Sequence, residues 1–225
     1  MYYNRCNSSN NRYRLSLVTA PLIFPVTLQE VKDFLRITST DEDNLLNNYI
    51  AVATGNAESY TRRAFITQTW QMFMDQYPCQ DKDMWWDGVK QLPISTLVES
   101  NGFYIPKPPL QSVTHFKTYD DNDVASIFST SSYQVSVYSG DYAENGRITL
   151  RDSGTYPEYT RNADGIEIEF ICGYGDNADD VPWQIKQGIL QEISYMYQHR
   201  EECGSDGMNC CVARGLLEPF RIIKL

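Results

Sequence analysis

A chain of 225 residues, 42% hydrophobic and 21% charged, is long enough for one domain of good size or a core carrying an inserted subdomain. Its formal net charge of −10 argues against a free-standing nucleic-acid binder, which presents a basic face, while an acidic surface near DNA repels phosphate and prevents sticking. No run of about 18 apolar residues occurs, so no membrane span is expected, and the opening MYYNRCNSSNNRYR lacks the apolar stretch of a signal peptide. Synthesis in a cytosol is therefore expected. The six cysteines (Cys6, Cys79, Cys172, Cys203, Cys210 and Cys211) then read as thiols rather than a disulfide framework. With 16 Tyr and 4 Trp, the chain is rich in side chains that suit interfaces as well as cores.

In chain order, residues 1–20 are polar and rich in Asn and Ser, with Arg5, Arg12 and Arg14 and no acid. Such a segment buries little by itself and reads as an arm, either a disordered tail or one that orders against a neighbour. Thr27-Leu28-Gln29-Glu30 is a capping box, with Val26 and Val31 at staple spacing. Val31, Phe34 and Leu35 form one apolar face of the helix it starts. The acids of Thr40-Asp41-Glu42-Asp43 suit the positive end of a second helix, whose apolar positions run from Leu45 to Tyr60. Gly55 weakens that helix by roughly 1 kcal/mol relative to Ala and permits a close helix contact.

From Phe65 the chemistry changes to strand. Trp70, Met72 and Met74 alternate with Gln71, Phe73 and Asp75. Residues 79–101 read as a long loop carrying Trp85 and Trp86. Short strands are expected at 112–119, 133–138, 146–150 and 166–172. In the last, Ile166, Ile168, Phe170 and Cys172 point one way and Glu167 and Glu169 the other. Asp120–Asp123 reads as a turn. A third helix is expected over about 181–199, with Ile185, Ile189, Ile193 and Met196 as its stripe. After Gly204–Gly207 comes a tail, 212–225.

The fold class expected is α+β: a small helical bundle of two N-terminal helices plus one C-terminal helix, with an inserted antiparallel β subdomain and extended arms at both ends. The expected division is an arm at 1–20, a helical core from 21–63 and 176–202, a β subdomain at 64–175, and a Cys-containing loop and tail at 203–225.

Little in the chain assembles chemistry. His199, Cys203, Cys210 and Cys211 offer four ligand types for zinc, but the spacing matches no standard paired knuckle, and free loop thiols are the better reading. Asp120, Asp121 and Asp123, like Asp176, Asp179 and Asp180, lack the spacing and closing Glu of a calcium loop. His115 sits in a strand pattern without a sequence partner. No nucleophile elbow, phosphate loop, dinucleotide fingerprint or HExxH occurs, so no enzyme and no cofactor are expected. Trp85 and Trp86 admit three readings: stacking on a sugar, anchoring a protein interface, or folding back on the chain's own core.

The helix–helix–strand block resembles the head–tail connector (adaptor, or head-completion) family of tailed bacteriophages and gene-transfer particles. The resemblance is carried by Pro25–Lys32, Phe34–Ile37, Asp41–Asp43, Ala57–Thr61 and Ile66–Trp70. It continues in Pro108–Val113, Ser132–Val135, Gly173–Gly175, Val181-Pro182 and Leu216–Arg221. It spans roughly residues 21–200 plus the tail. Departures are the polar arm, the Trp-bearing insertion near 79–102 and the Cys-rich loop at 203–211. The resemblance implies a ring, usually of twelve copies, beneath the portal at the head–tail junction of a virion. The ring lines a channel for double-stranded DNA without sequence-specific binding and receives the next tail or stopper component. It also implies that the C-terminal segment engages the portal protein. Leu216, Leu217, Phe220 and Arg221, two apolar anchors with an aromatic and an arginine, are the expected docking residues, set against packing on the chain's own subunit. The alternative function is a tail-associated module binding host glycan through Trp85 and Trp86.

Overall fold

The computed structural model describes residues 13–75, 77, 102–151, 157–200 and 211–223. Its elements are β1 (Tyr13–Thr19), α1 (Leu28–Leu35), α2 (Asp43–Thr61), β2 (Gln68–Met74), β3 (Gly102–Tyr104), β4 (Leu110–Tyr119) and β5 (Ala125–Ile127). They continue with β6 (Tyr133–Ser136), β7 (Arg147–Leu150), β8 (Ile166–Cys172), α3 (Trp183–Gln198) and α4 (Cys211–Leu217). The fold is α+β, as the residue patterns imply.

The capping box forms as expected. The Glu30 backbone N–H donates to Thr27 Oγ1 at 3.2 Å, and the Thr27 N–H donates to Glu30 Oε2 at 2.6 Å. Val26 and Val31 are both buried beside it. α1 stops where Arg36 turns left-handed, and the Ile37 N–H reaches back to the Lys32 carbonyl. α2 starts at Asp43 with no side-chain cap from Glu42. Glu42 instead ties α2 to the end of α3, accepting from the Tyr197 hydroxyl at 2.6 Å and from Arg200 at 2.9 Å. Lys32 pairs with Asp43 at 2.7 Å and Lys186 with Glu30 at 2.9 Å, so α1 is pinned to both longer helices. Between them lies one apolar cluster in which Leu46, Ile50, Ala53 and Ala57 of α2 meet Ile185, Ile189 and Ile193 of α3.

Two antiparallel sheets hold the second cluster. The larger has strand order β1-β2-β8-β4-β5 and the smaller β3-β7-β6. The inner face of the large sheet carries Met72, Ile168 and Phe116 in register. The alternation read in β8 holds: Ile166, Ile168, Phe170 and Cys172 face this core, and Glu167 and Glu169 face away. Gly173, at φ +128°, closes β8 so tightly against the chain at Ile66 that a Cβ would lie 2.6 Å from the Ile66 backbone.

Three differences from the sequence reading stand out. Residues 13–19 of the expected arm form β1, an edge strand pairing Leu15 with Met72 and Leu17 with Trp70. The strand is mostly exposed, so its pattern carries little burial signal. The short strands β3 and β5 were not expected; three residues each are too few to show a period. The segment expected as a tail winds into α4 and a following 3₁₀ turn, Glu218–Phe220. Gly215 in its middle obscures the helical spacing of Ala213, Leu217 and Phe220.

Candidate docking site at the C-terminal segment

The C-terminal segment is clamped to the end of α2. Leu217 and Phe220 are buried within their own subunit. Leu217 sits over Gly188 of α3, and the Phe220 ring stacks on Tyr142 with centroids 4.9 Å apart. Arg63 carries the clamp. Its Nε donates to the Phe220 carbonyl and an Nη to the Ala143 carbonyl, both at 2.5 Å. The Ile222 N–H donates to the Thr61 carbonyl at 3.1 Å, and Arg62 donates to the Ile222 carbonyl at 3.1 Å. The Tyr60 hydroxyl donates to the Glu218 carboxylate, which holds that carboxyl below its ordinary pKa and raises the phenol's. Arg221 lies over the Tyr60 ring at 5.1 Å and 3.5 Å from Glu218.

Ile222 is the last of the described residues held by these backbone bonds. Ile223 is 73% exposed, Arg221 is exposed, and Leu216 is half-buried. The four expected residues therefore differ in burial: Leu217 and Phe220 are buried, Leu216 is half-buried, and Arg221, like Ile223, is exposed. Ile223 was not singled out from the sequence, because its exposure shows only in the folded chain.

The other expected positions fall out as follows. Arg5, Arg12, Trp85, Trp86, Cys203 and Cys210 lie outside the described residues. Arg14 is committed to its own chain, 2.7 Å from Asp75 and paired with Asp164. His199 stacks on Tyr195 at 4.3 Å, with its Nδ1 3.0 Å from the Tyr195 carbonyl, and Cys211 is exposed at the start of α4. Among the described residues no group of three His, Cys, Asp or Glu side chains is placed to hold a metal. The Asp120 carboxylate accepts the N–H groups of Asn122 and Val124, which is the turn the sequence suggested.

A polar cluster on the outer face of the large sheet was not legible in the sequence. His115 Nε2 lies 2.8 Å from Glu167 Oε1 and its Nδ1 3.7 Å from Glu169. Tyr119 donates to the other Glu167 oxygen, Lys117 is 3.4 Å away, and Gln71 donates to Glu169 at 3.1 Å. Burial opposes the Glu167 charge, but hydrogen bonds from Tyr119, His115 and Lys117 outweigh it and hold the carboxyl below its ordinary pKa. The same bond pushes the Tyr119 phenol up to about 12. Every group here is a partner of another across β2, β8 and β4, an arrangement that ties strands together.

The model of the phage gp6-like head–tail connector proteins matches residues 25–139, half of the chain. The chain belongs to this family. Its name is that of a structural connector, in keeping with a C-terminal clamp built from packing and backbone hydrogen bonds. The connector's fold also occurs in three solved particle structures. One is the neck of an empty gene transfer agent particle computed with C6 symmetry, at 19% identity and a TM-score of 0.70, covering 94% of this chain and 97% of that one. A second is the virion of a native gene transfer agent particle, at 19% identity and 0.70, covering 94% and 96%. A third is the neck of a native particle computed with C12 symmetry, at 17% identity and 0.66, covering 94% and 97%. These identities establish the shared fold. No curated protein matches the connector.

Proposed function

We propose that this connector forms a ring, of twelve copies, beneath the portal of a virion. There it joins the portal to the next tail or stopper component and surrounds the passage taken by double-stranded DNA. Its role is assembly, without catalysis. The observation that carries the reading is the clamped C-terminal segment in a head–tail connector fold: Leu217 and Phe220 anchor it, and Ile223, just past the last clamping bond, is 73% exposed. Arg221, Leu216 and Ile223 are then the portal-facing side chains, replacing the buried pair in that role. The C12 symmetry of one neighbour's neck supports the copy number. The net charge of −10 per chain suits a conduit through which DNA slides without sticking.

Deleting Ile223–Leu225 tests the docking step. Attachment to purified portal, read by native mass measurement, is expected to fall at least tenfold with unchanged melting. Attachment equal to wild type would refute a docking role for the C-terminus.

A further inference from the structure

The exposed face of α2 is unusual for a chain this acidic. Every exposed position from Asn44 to Ser59 is uncharged, including Asn48, Ala51, Val52 and Gly55. A Cβ added at Gly55 would meet nothing within 4 Å, so the helix surface there is open. Beside it the segment leading into α1 leaves Leu22 at 95%, Ile23 at 42% and Phe24 at 44% exposure, and Val52 on the helix is 50% exposed.

Between helix and segment runs a groove of about 140 Å³, lined by Ile23, Phe24, Ala51, Thr54, Gly55 and Glu58 among others. Cavities of about that size hold a benzene ring, so one aliphatic or aromatic side chain fits. The groove also contains an unmet hydrogen-bonding group. Thr54 is 92% buried in the fold, yet its Oγ1 has no hydrogen-bond partner among the described residues. Buried polar atoms are nearly always paired, so this hydroxyl is an exception in need of a partner. Glu58, the carboxylate on the groove wall, is already engaged from inside by the Phe65 N–H and by Gln68, each at 2.9 Å.

We infer that this groove and the uncharged α2 face receive a second copy of the same chain. The argument for that occupant is electrostatic. Two copies each carrying −10 repel wherever carboxylates meet, and like charges set against one another across an interface cost several kcal/mol. Self-association is therefore favoured on faces without exposed carboxylates, and α2 supplies one with apolar side chains at its rim and an unpaired hydroxyl on its wall. In a closed ring of more than two copies the contact is heterologous: this face meets a different surface of the next subunit. The inference rests on the ring reading and names the surface through which the ring closes.

Gly55→Glu tests it. The new side chain projects into open space, and replacing a mid-helix glycine favours the helix, so melting is expected at or above wild type. Gly55→Ala is the size control and Val52→Asp the second charge variant. Native mass measurement is made on each full-length protein with and without purified portal. The expected result is a ring for wild type and Gly55→Ala, and monomers for Gly55→Glu and Val52→Asp at unchanged melting. Rings from both charge variants would overturn the inference and leave the ring reading standing. Absence of any ring from wild type would overturn both. A charge variant that still forms rings but no longer attaches to portal would assign the groove to portal and overturn the second-copy assignment.

Discussion

Phe220→Ala separates the two roles open to the C-terminal segment. Phe220 is 1% exposed, packed in the helical cluster and stacked on Tyr142. Truncating a buried phenylalanine costs about 3–5 kcal/mol, of which about 0.5–1.5 kcal/mol belongs to the aromatic pair. Tyr142 is 57% exposed and free to move into the space, so the lower end, about 3 kcal/mol, is expected here. For a chain of this size 1 kcal/mol shifts the melting temperature by about 2–4 °C, which gives a fall of about 6–12 °C. Thermal and urea unfolding followed by circular dichroism read the loss, with Ile223→Asp as the companion variant. Ile223 is 73% exposed, so that change should stay within about 0.5 kcal/mol of wild type. A Phe220→Ala protein within 1 kcal/mol of wild type that nevertheless fails to bind portal would refute the reasoning. Phe220 would then be a docking residue and not an anchor.

Other outcomes follow from single sites. Gly173→Ala should lose at least about 2 kcal/mol, because the positive φ strains any side chain by about 1–3 kcal/mol and the Cβ collides with backbone at Ile66; urea unfolding checks it. Acid should erode the contribution of Glu167. Its folded pKa lies below the ordinary carboxylate value, so the stabilisation is present above about pH 4.5 and is lost as pH falls through the folded value. Melting curves of wild type and Glu167→Gln taken from pH 7 to pH 3 should converge, and a gap that stays constant would contradict the assignment. Alkylation of the native protein should label Cys211 and spare Cys172, whose thiol is buried and pushed up in pKa by that burial. Modification of Cys172 before unfolding would show that the sheet core opens.

Several elements were legible because their signals are local. The capping box at Thr27 and Glu30 operates between residues three apart, so the sequence specifies it and the structure repeats it. The stripe Ile185, Ile189 and Ile193 shows the helical period over enough turns to be unmistakable, and all three are buried. The strict alternation of Ile166 to Cys172 with Glu167 and Glu169 likewise announced a strand and its two faces. The family resemblance rested on the order of such local pieces.

What lay beyond the sequence depends on pairings between distant residues. Nothing in Tyr13–Thr19 predicts that it adds an edge strand to β2, about sixty positions away, because an exposed strand is specified by its partner's free backbone groups and not by its own burial. Glu167, His115 and Gln71 become one network only because β4 and β2 flank β8 in a particular register. The burial of Leu217 and Phe220 was decided by α3 at Gly188 and by Arg63 at the end of α2, residues far away in the chain. The residue types of this chain determined α1, α2 and α3, its central strand β8 and its family. The third dimension decided which side chains remain free to meet another protein, since exposure is a property of the packed whole.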